Sequence, residues 1–126
     1  MQIHQSGEDY LESILRLSKI RPVVRSIDIA TDMNYSKPSI SVAMKNLRTN
    51  GFIDVDDAGF ITLTDSGMKI ASDIYERHQL IRDWLTYLGV DEEIAEDDAC
   101  KIEHTLSPET FEVLKAHISE TMKDAG

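Results

Sequence analysis

Cys100, Glu103 and His104 place a thiol, a carboxylate and an imidazole at relative positions 0, 3 and 4. On a helix these positions share one face, about a turn apart, within reach of one small ligand. All three groups are donors for transition metals. Three groups from one helix do not complete a metal shell, so further donors are required. Two sets stand elsewhere in the chain: Asp9 with Glu12, again spaced i, i+3, and His78. A second reading of the same residues is open. A lone Cys is commonly a small buried apolar residue. Glu103-His104 reads equally as a polar helix edge. Asp9 lies three residues after Ser6, as in a capping box. Glu12 reads as a solvated helix acid and His78 as a core histidine.

The elements that must position these groups follow from the apolar spacing. Ser6 is expected to cap a first helix, with Tyr10, Leu11, Ile14, Leu15 and Leu17 recurring at helical period to about Lys19, and Arg21-Pro22 ending it. Thr64 or Asp65 caps a long helix to about Leu88, with Ala71, Ile74, His78, Ile81, Leu85 and Leu88 along one stripe. Gly89 ends that helix. Asp91 caps the next, with Ile94, Ala95, Ala99 and Ile102 inward, and this helix carries the Cys100 motif. Ser107-Pro108-Glu109 opens a last helix, with Phe111, Leu114 and Ile118 inward.

Between the first and the long helix lies a different kind of unit. Ser26 is expected to cap a short helix, Ile27 to Met33, with Ile27, Ala30 and Met33 inward. Asn34-Tyr35 turns the chain. Ser36 caps a third helix with Pro38 in its first turn, where a missing N–H costs little. Ile40, Ala43, Met44 and Leu47 form its buried stripe. Two helices joined by so short a turn suggest helix-turn-helix. The outer face of the second carries Ser36, Lys37, Pro38, Ser39, Val42 and Lys45 and no acid, as a DNA-reading face requires; an αα-corner is the plain alternative. Phe52-Ile53-Asp54-Val55 and Phe60-Ile61-Thr62-Leu63 then read as a two-stranded wing with an acidic tip at Asp56-Asp57.

The chain has 126 residues and a net charge of −10, which by itself argues against nucleic acid. The charge is unevenly spread, however. Residues 1–50 carry seven Lys/Arg against five Asp/Glu, and residues 51–126 carry six against eighteen. A mildly basic half joined to an acidic half permits local phosphate binding. One Cys excludes an internal disulfide framework and fits a reducing cytoplasm. No apolar run is long enough to span a bilayer. Met1 to Ser6 lacks the basic and apolar regions of a secretory signal, so a cytoplasmic protein with no membrane partner is expected.

The ordered set Gly7-Glu8-Asp9-Tyr10-Leu11-Glu12, Ser36-Lys37-Pro38-Ser39-Ile40-Ser41, Leu63-Thr64-Asp65-Ser66-Gly67, Arg77-His78 and Cys100 to Ser107 resembles the metal-dependent repressors that include the diphtheria toxin repressor and the manganese transport regulator. The resemblance covers nearly the whole chain. It implies a mainly α protein: a winged helix-turn-helix DNA-binding domain over 1–64, followed by an all-helical metal-binding and dimerisation domain over 65–126. It also implies a homodimer on palindromic double-stranded operator DNA, with iron(II) or manganese(II) as corepressor for metal-uptake genes. The implied ligands are Asp9, Glu12, His78, Cys100, Glu103 and His104, holding up to two ions per subunit. In the first helix the iron-responsive branch has Met and the manganese-responsive branch Asp; this chain has Asp9. In the later motif the iron branch has Cys and the manganese branch Glu; this chain has Cys100. The site is thus a hybrid of the two branches. The iron branch's ancillary site is expected to be absent, since its Glu and second His fall at Arg82 and Glu96. The SH3-like third domain of longer members has no counterpart in these residues.

The donor chemistry stands beside the resemblance. Asp9, Glu12, Glu103 and an ionised Cys100 bring four negative charges together, which divalent cations would neutralise. Asp9 and Glu12 belong to the DNA-binding half and the other donors to the helical half, so a shared ion would couple the two. Two other classes remain: a dinuclear metalloenzyme, which lacks a general base or oxyanion donor beyond the ligands, and a winged-helix regulator sensing an organic effector.

Overall fold

The computed structural model describes residues 5–125, with side chains from 6 to 123. Residues 1–4, read above for a leader, lie outside the described residues. Six helices and one two-stranded sheet follow in order: α1 (Gln5–Ile20), α2 (Ser26–Met33), α3 (Lys37–Thr49), β1 (Ile53–Val55), β2 (Ile61–Leu63), α4 (Asp65–Tyr87), α5 (Glu92–Ile102) and α6 (Pro108–Ala125). They divide into two compact units, Met1–Asp73 and Ile74–Gly126.

In the first unit α1 packs on α2, α3 and β2, and α3 packs on β1. Leu11, Ile14, Ile29, Ile40 and Ile53 are fully buried and form its centre; each such side chain contributes about 1.5–3 kcal/mol of transfer free energy. A polar clasp joins α1 to α2. Ser13 Oγ donates to Asp32 at 2.8 Å, and Arg16 donates to both Asp32 oxygens at 3.1 and 2.8 Å. Asn34 ends α2 in the left-handed region at φ 57°, a conformation that Asn tolerates better than most side chains. Ser36 Oγ accepts from Ser39 N–H at 3.3 Å and so caps α3 as expected.

The wing is an antiparallel pair with Asp54 opposite Thr62. Asp56 Oδ1 accepts from the N–H groups of Ala58 and Phe60, both at 2.9 Å, which closes the turn between the strands. Arg25 lies over the Phe60 ring, 4.7 Å from its centroid. Thr64 Oγ1 donates to the Gly51 carbonyl at 2.6 Å and accepts from Gly67 N–H at 3.2 Å, so the wing's end and the first turn of α4 are tied together. Gly67 is required there: a Cβ would overlap the Phe52 carbonyl.

In the second unit Ile74 and Ile81 of α4, Ala95 and Ala99 of α5, and Phe111 and Ile118 of α6 are buried. The caps at Asp91 and Ser107 form as expected, each side chain accepting from a backbone N–H, at 3.2 Å from Glu93 and 3.1 Å from Thr110.

Several local expectations are corrected. Ser6 lies inside α1, so Asp9 is not the acid of a Ser6 capping box. Arg25 takes the N-cap position of α2, and its N–H donates to Asp28 at 2.9 Å. Ile29 rather than Ile27 faces the core of that helix, and Ile94 and Leu88 are exposed.

Candidate metal centre and nucleic-acid interface

Within the first unit Asp9 and Glu12 stand one turn apart on α1. Glu12 is buried and Asp9 half-buried, so Glu12 is not the solvated helix acid of the plain reading. Neighbouring Ser13 and Arg16 engage Asp32, which fixes the rotation of α1 about its axis.

Within the second unit the donors gather around one carboxylate. Glu103 is fully buried. Its N–H donates to the Ala99 carbonyl at the C-terminal cap of α5. Cys100 sits in the last turn of that helix and is exposed, which removes the reading of a small buried core residue. His104 lies in the turn beyond the helix, so the three donors come from a helix end and its following turn rather than from one helical face. His78 Nδ1 lies 2.8 Å from Glu103 Oε2, and His104 Nε2 lies 3.2 Å from Glu103 Oε1. Glu103 thus has an imidazole at each oxygen. The His104 side chain is only 1% exposed.

Arg77 holds this turn in place. Its Nη1 donates to the Glu103 and Leu106 carbonyls at 3.1 and 2.8 Å, and its guanidinium lies over the Phe111 ring, 5.0 Å from the centroid. The other nitrogen of His78, Nε2, lies 2.7 Å from Glu96 Oε1. Arg82 Nη1 in turn approaches Glu96 Oε2 at 3.7 Å. In the sequence Arg77 stands in a motif, and Arg82 and Glu96 stand at the positions of the ancillary site expected to be absent. Their contacts here were not found from the sequence, because they reach 14 to 29 residues along the chain.

The electrostatics follow from these neighbours. The hydrogen bond to Glu103 stabilises the imidazolium of His78; burial opposes this, and Glu96 adds to it, so the pKa is pushed up to about 9. Burial alone would raise Glu103, but the hydrogen bonds from His104 and His78 outweigh it and hold the carboxyl below its usual range. A buried carboxylate, two imidazoles and a thiol one helical turn away are a donor set suited to a divalent transition metal. The second unit alone supplies them.

The outer face of α3 presents Ser36, Lys37, Pro38, Ser39, Val42 and Lys45, all exposed. Ser36 and Ser39 also bond to each other, Oγ to Oγ, at 2.9 Å. No Asp or Glu occurs in α3.

A winged helix-turn-helix with a helical unit carrying clustered metal donors defines a DNA-binding regulator with a metal-binding module. Comparison with known proteins places it more closely. Residues 2–59 match the iron dependent repressor N-terminal DNA binding domain, and residues 64–125 match the iron dependent repressor metal binding and dimerisation domain. An HTH-type transcriptional regulator of Methanocaldococcus jannaschii is 35% identical over 122 residues, covering 95% of this chain and 97% of that protein. The transcriptional regulator MntR of Salmonella typhimurium is 36% identical over 109 residues, covering 86% of this chain and 69% of that one. A manganese-dependent transcriptional repressor solved in complex with manganese superposes with a TM-score of 0.81 at 27% identity, over 90% of this chain and 52% of that one. The manganese regulator SloR gives 0.78 at 29% identity, over 94% and 55%. The chain spans about half the length of these solved structures. It belongs to the iron-dependent repressor family, whose members are DNA-binding regulators and not enzymes, so the metalloenzyme reading is set aside.

Proposed function

We propose that the protein is a divalent-metal-dependent transcriptional repressor of metal-uptake genes that binds palindromic double-stranded DNA as a homodimer in the cytoplasm. Residues 1–64 bind DNA, and residues 65–126 bind metal and dimerise. Asp9, Glu12, His78, Cys100, Glu103 and His104 are the ligands, for iron(II) or manganese(II) and up to two ions per subunit. Ser36, Lys37, Pro38, Ser39, Val42 and Lys45 face the DNA.

The observation that carries the reading is the fully buried Glu103 with an imidazole at each oxygen, in a chain whose halves match a DNA-binding and a metal-binding domain. When bound, the metal supplies positive charge that neutralises the carboxylates and thiolate. Arg77 keeps the 103–106 turn, and hence Glu103 and His104, in place. Asp9 and Glu12 extend the shell from the DNA-binding half. Ligands shared between the halves couple metal occupancy to the spacing of the two recognition helices, a coupling typically worth ~1–3 kcal/mol. Relatives solved with manganese and with zinc support a divalent ion.

The test is an electrophoretic shift of candidate operator duplexes, titrated anaerobically with manganese(II) or iron(II), with and without a chelator. Binding should require metal and be reversed by chelation. Binding indifferent to metal and chelator would overturn the proposal in favour of an organic effector.

A further inference from the structure

His78 has a carboxylate on each side: Glu103 at Nδ1, 2.8 Å away, and Glu96 at Nε2, 2.7 Å away. The two carboxylates differ in setting. Glu103 is fully buried among the proposed ligands, whereas the Glu96 side chain is 53% exposed on α5 and faces Arg82. An imidazole that binds a metal uses one nitrogen and commonly donates its other N–H to a carboxylate, which fixes the ring's orientation and strengthens its donor nitrogen. The nitrogen turned toward Glu103 is Nδ1, and the one turned away is Nε2.

The geometry points to Glu96 as the positioning residue for His78: it holds the ring through Nε2–H so that Nδ1 is presented to the metal, and Arg82 steadies the Glu96 carboxylate. Glu96 itself is not a ligand. Glu92 and Glu93 precede Glu96 by one turn, and Asp97 and Asp98 follow directly, so in the sequence Glu96 is one acid among several on a helix. The hydrogen bond to His78 Nε2 sets it apart. Arg82 lies one turn after His78 on α4 and carries a permanent charge; its guanidinium bonds to Asp83 at 3.2 Å and attracts the Glu96 carboxylate from 3.7 Å. This inference rests on the ligand role proposed above for His78.

The experiment compares the parent with Glu96→Ala, Glu96→Gln, Glu96→Asp, Arg82→Met and the neighbouring control Asp97→Asn. Manganese(II) affinity is measured by the paramagnetic resonance of free manganese. Ring nitrogen shifts of the zinc-loaded proteins report which His78 nitrogen is ligated. Loss of a carboxylate partner of this kind typically lowers metal affinity about 10- to 100-fold. Glu96→Ala is expected to show that loss, Glu96→Gln a smaller one because its amide oxygen still accepts, and Glu96→Asp partial recovery. Arg82→Met should weaken affinity less than Glu96→Ala, and Asp97→Asn should match the parent. In the zinc-loaded parent His78 should be ligated through Nδ1 with a protonated Nε2, and that Nε2–H signal should shift or broaden in Glu96→Ala. Ligation through Nε2, or a Glu96→Ala protein that binds manganese like the parent, would overturn the inference while leaving the metal site standing. A loss shared equally by Asp97→Asn would reduce Glu96 to bulk charge and overturn it as well. A parent that binds neither manganese nor zinc would overturn the metal-site proposal itself, and this inference with it.

Discussion

The proposed DNA-facing side of α3 gives a sharp quantitative prediction. Lys37 and Lys45 are exposed on a helix with no acidic residue to neutralise them. If both contact phosphate, the double substitution Lys37→Ala with Lys45→Ala removes two phosphate contacts per subunit, hence four per dimer. Each neutralised phosphate contributes about 0.9 to the slope of log affinity against log salt, so the slope should flatten by about 3.6. Between roughly 50 and 200 mM salt that amounts to about two orders of magnitude less salt sensitivity than the parent. Ala is at least as good a helix former as Lys at exposed positions, so the fold should be unharmed and the melting temperature kept. The assay is fluorescence anisotropy of a labelled operator duplex with saturating metal across a salt series. A Lys–phosphate contact carries no sequence information, so affinity for an unrelated duplex should fall in proportion. Val42→Ala should leave the slope alone and reduce any preference for thymine at the contacted base pair. A double variant with unchanged affinity and a slope within one unit of the parent would show that another face meets the DNA.

Three further outcomes are expected. Cys100→Glu should raise manganese-activated operator binding relative to iron-activated binding, and Asp9→Met should do the reverse, because a thiolate is the softer donor and a carboxylate the harder; anaerobic affinities with each metal measure the ratio, and an unchanged ratio in Cys100→Glu would strip the thiol of any selectivity role. Metal-free protein at micromolar concentration should sediment as a dimer, since Tyr87, Leu88, Ile94 and Val113 leave apolar area exposed in the second unit; a monomer would undo the two-fold DNA model. Burial raises the Asp32 carboxyl, but the hydrogen bonds from Arg16 and Ser13 outweigh it and hold the group below 3.8, so its contribution is present above that pH and is lost as pH falls. Asp32→Asn should therefore cost stability at pH 7, by roughly 1 kcal/mol or less because Arg16 is half exposed. The difference from the parent should narrow in urea melts near pH 3; a constant difference would refute the ionic origin.

Where a structural feature is made by neighbours in the chain, the sequence was a sufficient guide. The caps at Ser36, Asp91 and Ser107 are side chains bonding to an N–H two or three residues on, and the Asn34 turn needs one residue at positive φ. The wing was legible from two β-type runs around a Gly-containing turn. What failed was phase in short or amphipathic stretches. In the eight residues of α2, Ile27 and Ile29 offer two competing inward faces, and α1 decides for Ile29 through packing that the sequence does not display. Ser6 failed because a good cap residue is only a cap where the helix begins, and α1 includes Gln5. In the candidate site, residue types and short spacings pointed to Cys100, Glu103 and His104 as donors. The residues that hold them did not announce themselves. Arg77 reaches Leu106 across 29 positions, and Glu96 reaches His78 across 18.

These holding contacts bear on how the proposed metal site would work. The four anionic donors of the proposed shell would be expected to repel one another until a cation arrives. Glu103, however, is already compensated within its own unit by His78 and His104. The buried carboxylate is therefore flanked by cationic or polar groups of its own unit, an imidazole nitrogen lying within 3.2 Å of each oxygen. Under the ligand role proposed for His78, a cation at Nδ1 would compete with the proton shared with Glu103, and Glu96 would stay at Nε2. Binding at the proposed site would then be an exchange of one set of partners for another. An exchange has a smaller net free energy than filling an uncompensated shell. That suits a regulator, whose occupancy must change with metal supply instead of saturating at the lowest concentrations.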